Sequence, residues 1–180
     1  MLKWLIRNRL DAFEKKYRYD LGYMRELMDL DYAGFRHFAR AIGGGKYRGA
    51  LPRDAWYAAK LATMQHDDCG PCAQLCVDMA LEEGVPADAL KAGADRAPAA
   101  MPADMALAWR FATATLTRDP AADHLRDQAV ARWGAAGAAS LALTITLARL
   151  YPTLKYAMGH GKTCQTLSVA GTENPLRPVA

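Results

Sequence analysis

Cys69-Gly70-Pro71-Cys72 places two thiols three residues apart. On a helix, positions i and i+3 share a face with Cα atoms roughly 5 to 6 Å apart, inside the range a disulfide requires. A pair so placed can close and open without unfolding anything, so the chemistry it points to is thiol redox. The neighbouring residues put the pair in a first helical turn. Asp67 and Asp68 offer an N-cap carboxylate, Pro71 is tolerated only at a helix start, and Gln74 to Leu81 continues as a good helix former. Unpaired amides and the positive end of the helix dipole favour thiolate there, most of all at Cys69, while the two aspartates oppose that shift. Cys76 lies on the same face but about 10 Å from Cys69 by helical rise, too far to bridge it.

Two other readings of these residues were weighed. Free cysteines are often buried and inert, but two at this spacing on a helix start favour redox over packing. His66, Cys69, Cys72 and Cys76 are types that suit tetrahedral zinc, yet one straight helix cannot surround an ion on four sides, and no metal site is expected. No flavin or nicotinamide fingerprint is present. No cofactor is therefore expected beyond the redox-active disulfide itself, with electrons supplied by an external dithiol. Gly45-Lys46 lacks the spacing and the Ser/Thr of a phosphate cradle.

The elements that must position these residues read as helix throughout. Segments rich in Ala, Leu, Met, Arg and Glu follow one another, and alternating β-branched runs are missing, so the fold class expected is all-α with no strand. A first helix, 2–17, carries Leu2, Ile6, Leu10, Phe13 and Tyr17 on one face, a stripe that wants a partner. Shorter helices at 21–30 and 32–42 end at Gly43-Gly44-Gly45. Pro52 marks a boundary. A helix over 53–65, a break at His66-Asp67-Asp68 and the cysteine helix to Glu83, stopped by Gly84, come next. Helices at 86–92, 103–116, 121–133, 138–150 and 152–159 complete the reading. His160, followed by Lys162 and Cys164, is read as a helix C-terminus favoured by the dipole. The expected organisation is an N-terminal helical extension over 1–49, a main domain over 50–165, and an extended or disordered tail over 166–180.

The chain of 180 residues is long enough to bury a sizeable core, and its four cysteines are too few and too unevenly placed for a structural framework in a reducing compartment. Charges at Lys3, Arg7, Arg9, Asp11, Glu14, Lys15 and Lys16 interrupt the first segment, which has neither the apolar core of a signal peptide nor a spanning stretch, so a cytoplasmic protein is expected. Residues 1–60 hold a net charge of +6 and the remainder −2. Acidic residues interleave the basic ones, which argues against nucleic-acid binding, and the first helix is read as packing on the fold or a second subunit in preference to a membrane.

The order of a helix, Cys-x-x-Cys at a helix start, Gly84-Val85-Pro86 after that helix, and an Ala-rich helical hairpin resembles the carboxymuconolactone decarboxylase superfamily, specifically its alkylhydroperoxidase D-like branch. The resemblance covers about residues 50–160. Its most specific stretch is Cys69 to Cys76 through Glu83 to Pro86, supported by Ala106 to Ala112 and Leu141 to Leu150. It implies an all-α, alkylhydroperoxidase D-like helical bundle, a homo-oligomer, and peroxidase or disulfide oxidoreductase chemistry on a small peroxide or disulfide substrate, with Cys69 and Cys72 as the catalytic pair. The family pattern also places a Glu twelve residues before the first Cys and a His four after the second. Here those positions are Tyr57 and Cys76, neither a good base near neutral pH, and Asp54 or His66 are the candidates to replace them. Which sulfur attacks is left open, since the exposed position favours Cys69 and the family's usual assignment favours Cys72. Thioredoxins use the same tetrapeptide, but they need a strand before it.

Overall fold

A computed structural model of the chain describes residues 2–161 and 166–175. The helices in chain order are α1 (Leu2–Tyr17), α2 (Gly22–Leu30), α3 (Tyr32–Gly43), α4 (Arg53–His66), α5 (Gly70–Glu82), α6 (Ala87–Ala94), α7 (Ala103–Thr117), α8 (Ala121–Ala148) and α9 (Leu150–Ala157). The fold is all-α, with one small addition: strands β1 (Thr166–Val169) and β2 (Thr172–Pro175) pair antiparallel as a hairpin.

Helix α4 is the centre. Ala55, Trp56, Tyr57, Ala58, Ala59, Leu61, Ala62, Thr63, Met64 and Gln65 are all buried, which is the mark of a helix covered on every side and not of an amphipathic surface helix. It packs most extensively against α7, and also against α5, α6 and α8. Helix α7 brings Ala106, Ala108 and Ala112 to the core, so alanines on both helices permit close approach. Leu61 is fully buried, and its Cδ2 lies 2.9 Å from where a Cβ on Gly93 would stand, so any side chain at that position of α6 would push Leu61 aside.

Residues 1–49 join the same core. Tyr19, Leu21, Tyr23, Met24, Met28 and Phe35 are buried in one cluster with α4, α5 and α7. Ile6, Leu10, Phe13 and Tyr17 of the expected α1 stripe pack half-buried against it, whereas Leu2 stays exposed. Ion pairs Arg7–Asp29, Lys16–Glu82 and Arg25 with Asp11 and Glu14 tie α1 to α2 and α5. Asp31 caps α3, its side chain accepting from the Gly34 amide at 2.9 Å.

One sequence expectation is corrected here. The reading of no strand, with 166–180 as an extended or disordered tail, fails over 166–175. Ala170 and Gly171 both take positive φ, as a tight two-residue hairpin turn needs, and Leu167 and Val169 alternate inward onto α5 and α6. The Gln74 side chain fixes the register, accepting from the Ser168 amide at 2.7 Å and donating to its carbonyl at 2.9 Å. Residues 176–180, with Lys162 and Cys164, lie outside the described residues. The helices expected at 121–133 and 138–150 are both found within α8 and are parted, as expected, where Gly134 leaves helical geometry with φ 74°. By length and composition alone 121–157 could cross a membrane, but its inner side, including Leu141, Ile145 and Ala148, is buried in the bundle.

Replacing Leu61 with Ala should cost about 2 to 5 kcal/mol, read from urea denaturation, since the surrounding helices can relax only partly into the space. A loss under about 1 kcal/mol would contradict the close packing around α4.

Candidate active site

The turn between α4 and α5 sets the cysteines. Asp68 takes φ 50°, reversing the chain, and the Cys69 amide then donates to the Met64 carbonyl at 3.0 Å while the Cys69 carbonyl accepts from Ala73 at 2.9 Å. Cys69 is thus the N-cap of α5 and Pro71 falls in its first turn, as the spacing predicts. No side chain caps α5. Asp67, expected to do so, is turned to the α8–α9 junction, where the Arg149 guanidinium donates to its carboxylate at 3.0 and 3.2 Å. The Tyr156 hydroxyl donates to the Asp68 carbonyl at 2.9 Å. The reversal is therefore held from outside by the end of the bundle.

Cys69 and Cys72 are bonded as a disulfide with Cα atoms 5.2 Å apart. Both are buried, but their surroundings differ. Cys69 lines a shallow surface depression with Gln65, Asp68, Gly70, Ala73 and Arg96. Cys72 faces inward, with its Sγ 3.5 Å from the Tyr19 hydroxyl. Tyr19 sits between α1 and α2, beside Tyr23, and lies under the Lys155 ammonium, which is 4.7 Å from its ring centre and 5.9 Å from that of Tyr23. Burial pushes Tyr19 up to about 12 and raises Tyr23 further.

The other candidate residues are spread along the helices. His66 is half-buried in the last turn of α4, beside the reversal. Asp54 is at the opposite end of α4, next to Arg53, about 15 Å by helical rise from Met64, and is not brought to the pair. Tyr57 also points away from the sulfurs. Its hydroxyl donates to Glu83, past the C-terminus of α5, at 2.8 Å, and burial followed by that hydrogen bond raises its pKa. Cys76 is one turn beyond Cys72, buried, and its thiol donates to the Tyr57 carbonyl at 3.8 Å. Burial pushes Cys76 up to about 11, with Lys60 opposing the shift. Lys60, itself lowered by burial, lies 3.9 Å over the Trp56 ring. His160 pairs with Glu26 on α2 at 2.5 Å.

Sequence reasoning missed Tyr19, Tyr23 and Lys155. Nothing in their spacing from the cysteines announces them, since Tyr19 is 53 residues from Cys72. Tyr19 lies in the turn between α1 and α2, outside any helical periodicity that could have singled it out.

The arrangement offers a closed dithiol couple buried on both sides, with Cys69 beneath a shallow dimple that has no room for a water and Cys72 hydrogen-bonded to Tyr19, and with a third thiol held protonated. Comparison of the chain with family models, with curated proteins and with solved structures found no match.

The raised Cys76 sets an expectation for alkaline pH. Its proton is held to about 11 in the folded chain against 9.0 ordinarily, so the stability it contributes is complete below pH 9 and is lost as pH rises to about 11. Unfolding free energy should fall across that window by up to about 3 kcal/mol on this account. Cys76→Ala should flatten the fall, leaving the part due to the raised tyrosines Tyr19, Tyr23 and Tyr57 above pH 10; an unchanged slope in that variant would refute the assignment.

Proposed function

We propose that this chain is a thiol-dependent oxidoreductase that reduces a small peroxide or disulfide through the Cys69–Cys72 couple, with the chemistry of the alkylhydroperoxidase D-like branch it resembles. The observation that carries the reading is the bond between two sulfurs of one helical turn beside a surface depression. The helix around the bond is maintained by its own hydrogen bonds, so closing and opening it asks for no change of fold.

In the oxidative half, one thiolate attacks a peroxide oxygen and the O–O bond breaks. The leaving alkoxide takes a proton, and the sulfur becomes a sulfenic acid. The second thiolate attacks that sulfur, the S–O bond breaks, and the leaving hydroxide takes a proton to depart as water, which forms the disulfide. In the reductive half, two exchanges with an external dithiol return both sulfurs to thiols and leave the donor as a disulfide. The Glu and His that serve the family as a relay are Tyr57 and Cys76 here, and Tyr57 is committed to Glu83. Proton handling at the pair must come from other groups. The same reading carries a cytoplasmic homo-oligomer, for which the bare apolar side chains Trp4 and Leu5 on α1 and Leu143 on α8 supply surface.

Differential alkylation with mass analysis across a dithiol redox series should give a reversible two-electron midpoint within about −220 to −320 mV, the cytosolic range. With dithiothreitol as donor, cumene hydroperoxide should be consumed, and Cys69→Ser or Cys72→Ser should each lower turnover at least about 100-fold, the scale expected for loss of a nucleophile. Thiols that stay unreactive until the chain is denatured would rule the proposal out.

A further inference from the structure

In the closed disulfide Cys72 carries no hydrogen, so the contact between the Tyr19 hydroxyl and Cys72 Sγ at 3.5 Å has Tyr19 as donor. A phenol has one hydrogen to give. The Tyr19 hydrogen is thus committed to the sulfur, and the neighbouring Tyr23 hydroxyl can act on Tyr19 only as a donor. The result is a chain of hydroxyls, Tyr23 and then Tyr19, behind Cys72 Sγ, with the Tyr19 hydroxyl as the one that reaches the sulfur. The Lys155 ammonium, buried over both rings, places positive charge beside that chain. Tyr151 and Asp20 are the other ionisable groups facing the tyrosines, and both act to keep them protonated, so the chain keeps its protons at neutral pH. Cys69, and not Cys72, lines the surface depression.

We propose that Tyr19 is the hydrogen-bond donor that stabilises Cys72 as a thiolate, which makes Cys72 the leaving sulfur when an incoming dithiol attacks Cys69. The step balances within thiol exchange. A donor thiolate bonds to Cys69 Sγ, the Cys69–Cys72 bond breaks, and the electron pair stays on Cys72 Sγ against the Tyr19 hydroxyl. The donor's second thiol then displaces Cys69 as a thiolate, leaving the donor oxidised and the pair reduced. A thiolate accepts a far stronger hydrogen bond than a disulfide sulfur, so the chain favours the reduced form. This inference rests on the thiol redox reading above.

The test compares the midpoint of the pair in the wild-type chain, Tyr19→Phe and Tyr23→Phe, by the same alkylation series. Tyr19→Phe keeps the ring and removes only the donor. It should shift the dithiol equilibrium about tenfold toward the disulfide, a midpoint about 30 mV more negative. Tyr23→Phe should shift it the same way by less, and it carries the comparison if Tyr19→Phe does not fold. The free thiol left in Cys72→Ser should react with Ellman's reagent at least tenfold faster than the one left in Cys69→Ser. A wild-type pair that cycles while the phenylalanine variants keep its midpoint overturns the role of Tyr19 alone. Faster reaction of the Cys69→Ser variant overturns the assigned order of the sulfurs. A wild-type pair that does not cycle overturns this inference together with the reading it rests on.

Discussion

Everything that positions the sulfurs hangs from the fact that α4 is covered on every side. A helix in that situation must be largely apolar and must satisfy its own polar side chains, and α4 does the second only in part, since Trp56 Nε1 and Gln65 Oε1 are buried with no partner among the described residues. Thr63 donates back to the Ala59 carbonyl at 2.8 Å, and the Gln65 amide nitrogen donates to the last carbonyls of α6, at Gly93 and Ala94. Small residues are the other half of the constraint. Ala55, Ala58, Ala59 and Ala62 leave no room for larger side chains without pushing neighbouring helices apart, a distortion that costs about 1 to 3 kcal/mol in a packed core. The chain can leave such a helix only at its end, and there the Cys69 amide reaches back to Met64 while Arg149 and Tyr156 hold the reversal from the far side of the bundle.

Cys72 and Cys76 show how a single helix can hold two thiols in opposite chemical senses. They are one turn apart and both buried. Hydrogen bonding to the charged form of a group lowers the cost of ionising it, and hydrogen bonding that needs the neutral form raises that cost. Cys76 meets an acceptor, the Tyr57 carbonyl, and so is most stable as a protonated donor; burial adds to this, and the charge on Lys60 offsets only part of it. Cys72 meets a donor, the Tyr19 hydroxyl. Burial disfavours the charged form at both sulfurs, and only at Cys72 is the partner a group that opposes it.

Much of this was legible in the sequence because the chain is well punctuated. Proline at 52, the His66-Asp67-Asp68 break, Pro71 in a first turn and Gly84, which takes φ 81°, gave element edges close to those found. What could not be read depended on contacts made across the chain. Leu167 and Val169 are two alternating apolar residues, too few to announce a strand, and they become one because α5 and α6 offer them a surface and Gln74 offers both a donor and an acceptor. Asp67 has the chemistry of an N-cap, but an arginine from the other end of the fold competes for it and wins with a charge-assisted bond from its Nε–H shared between the two carboxylate oxygens. The cysteine pair was visible because both members lie within one turn. Its polar partners were not, because they come from the segment after α1 and from α9.

That separation has a thermodynamic consequence for the N-terminal segment. Tyr19 is held by its buried neighbours Leu21, Tyr23 and Met24, with Arg18 at φ 51° turning the chain into place and Asp20 accepting from the Gly22 amide at 2.7 Å. The exposed ion pairs on α1 contribute little each, so apolar burial holds the residue where it is. If the Tyr19 hydroxyl binds thiolate more strongly than disulfide, linkage makes the effect reciprocal. Whatever free energy the segment lends to the reduced pair is also the free energy by which reduction tightens the segment onto the bundle. On that account residues 1–30 are part of the redox couple, and a fragment confined to 50–165 would keep both sulfurs while losing the donor that tells them apart.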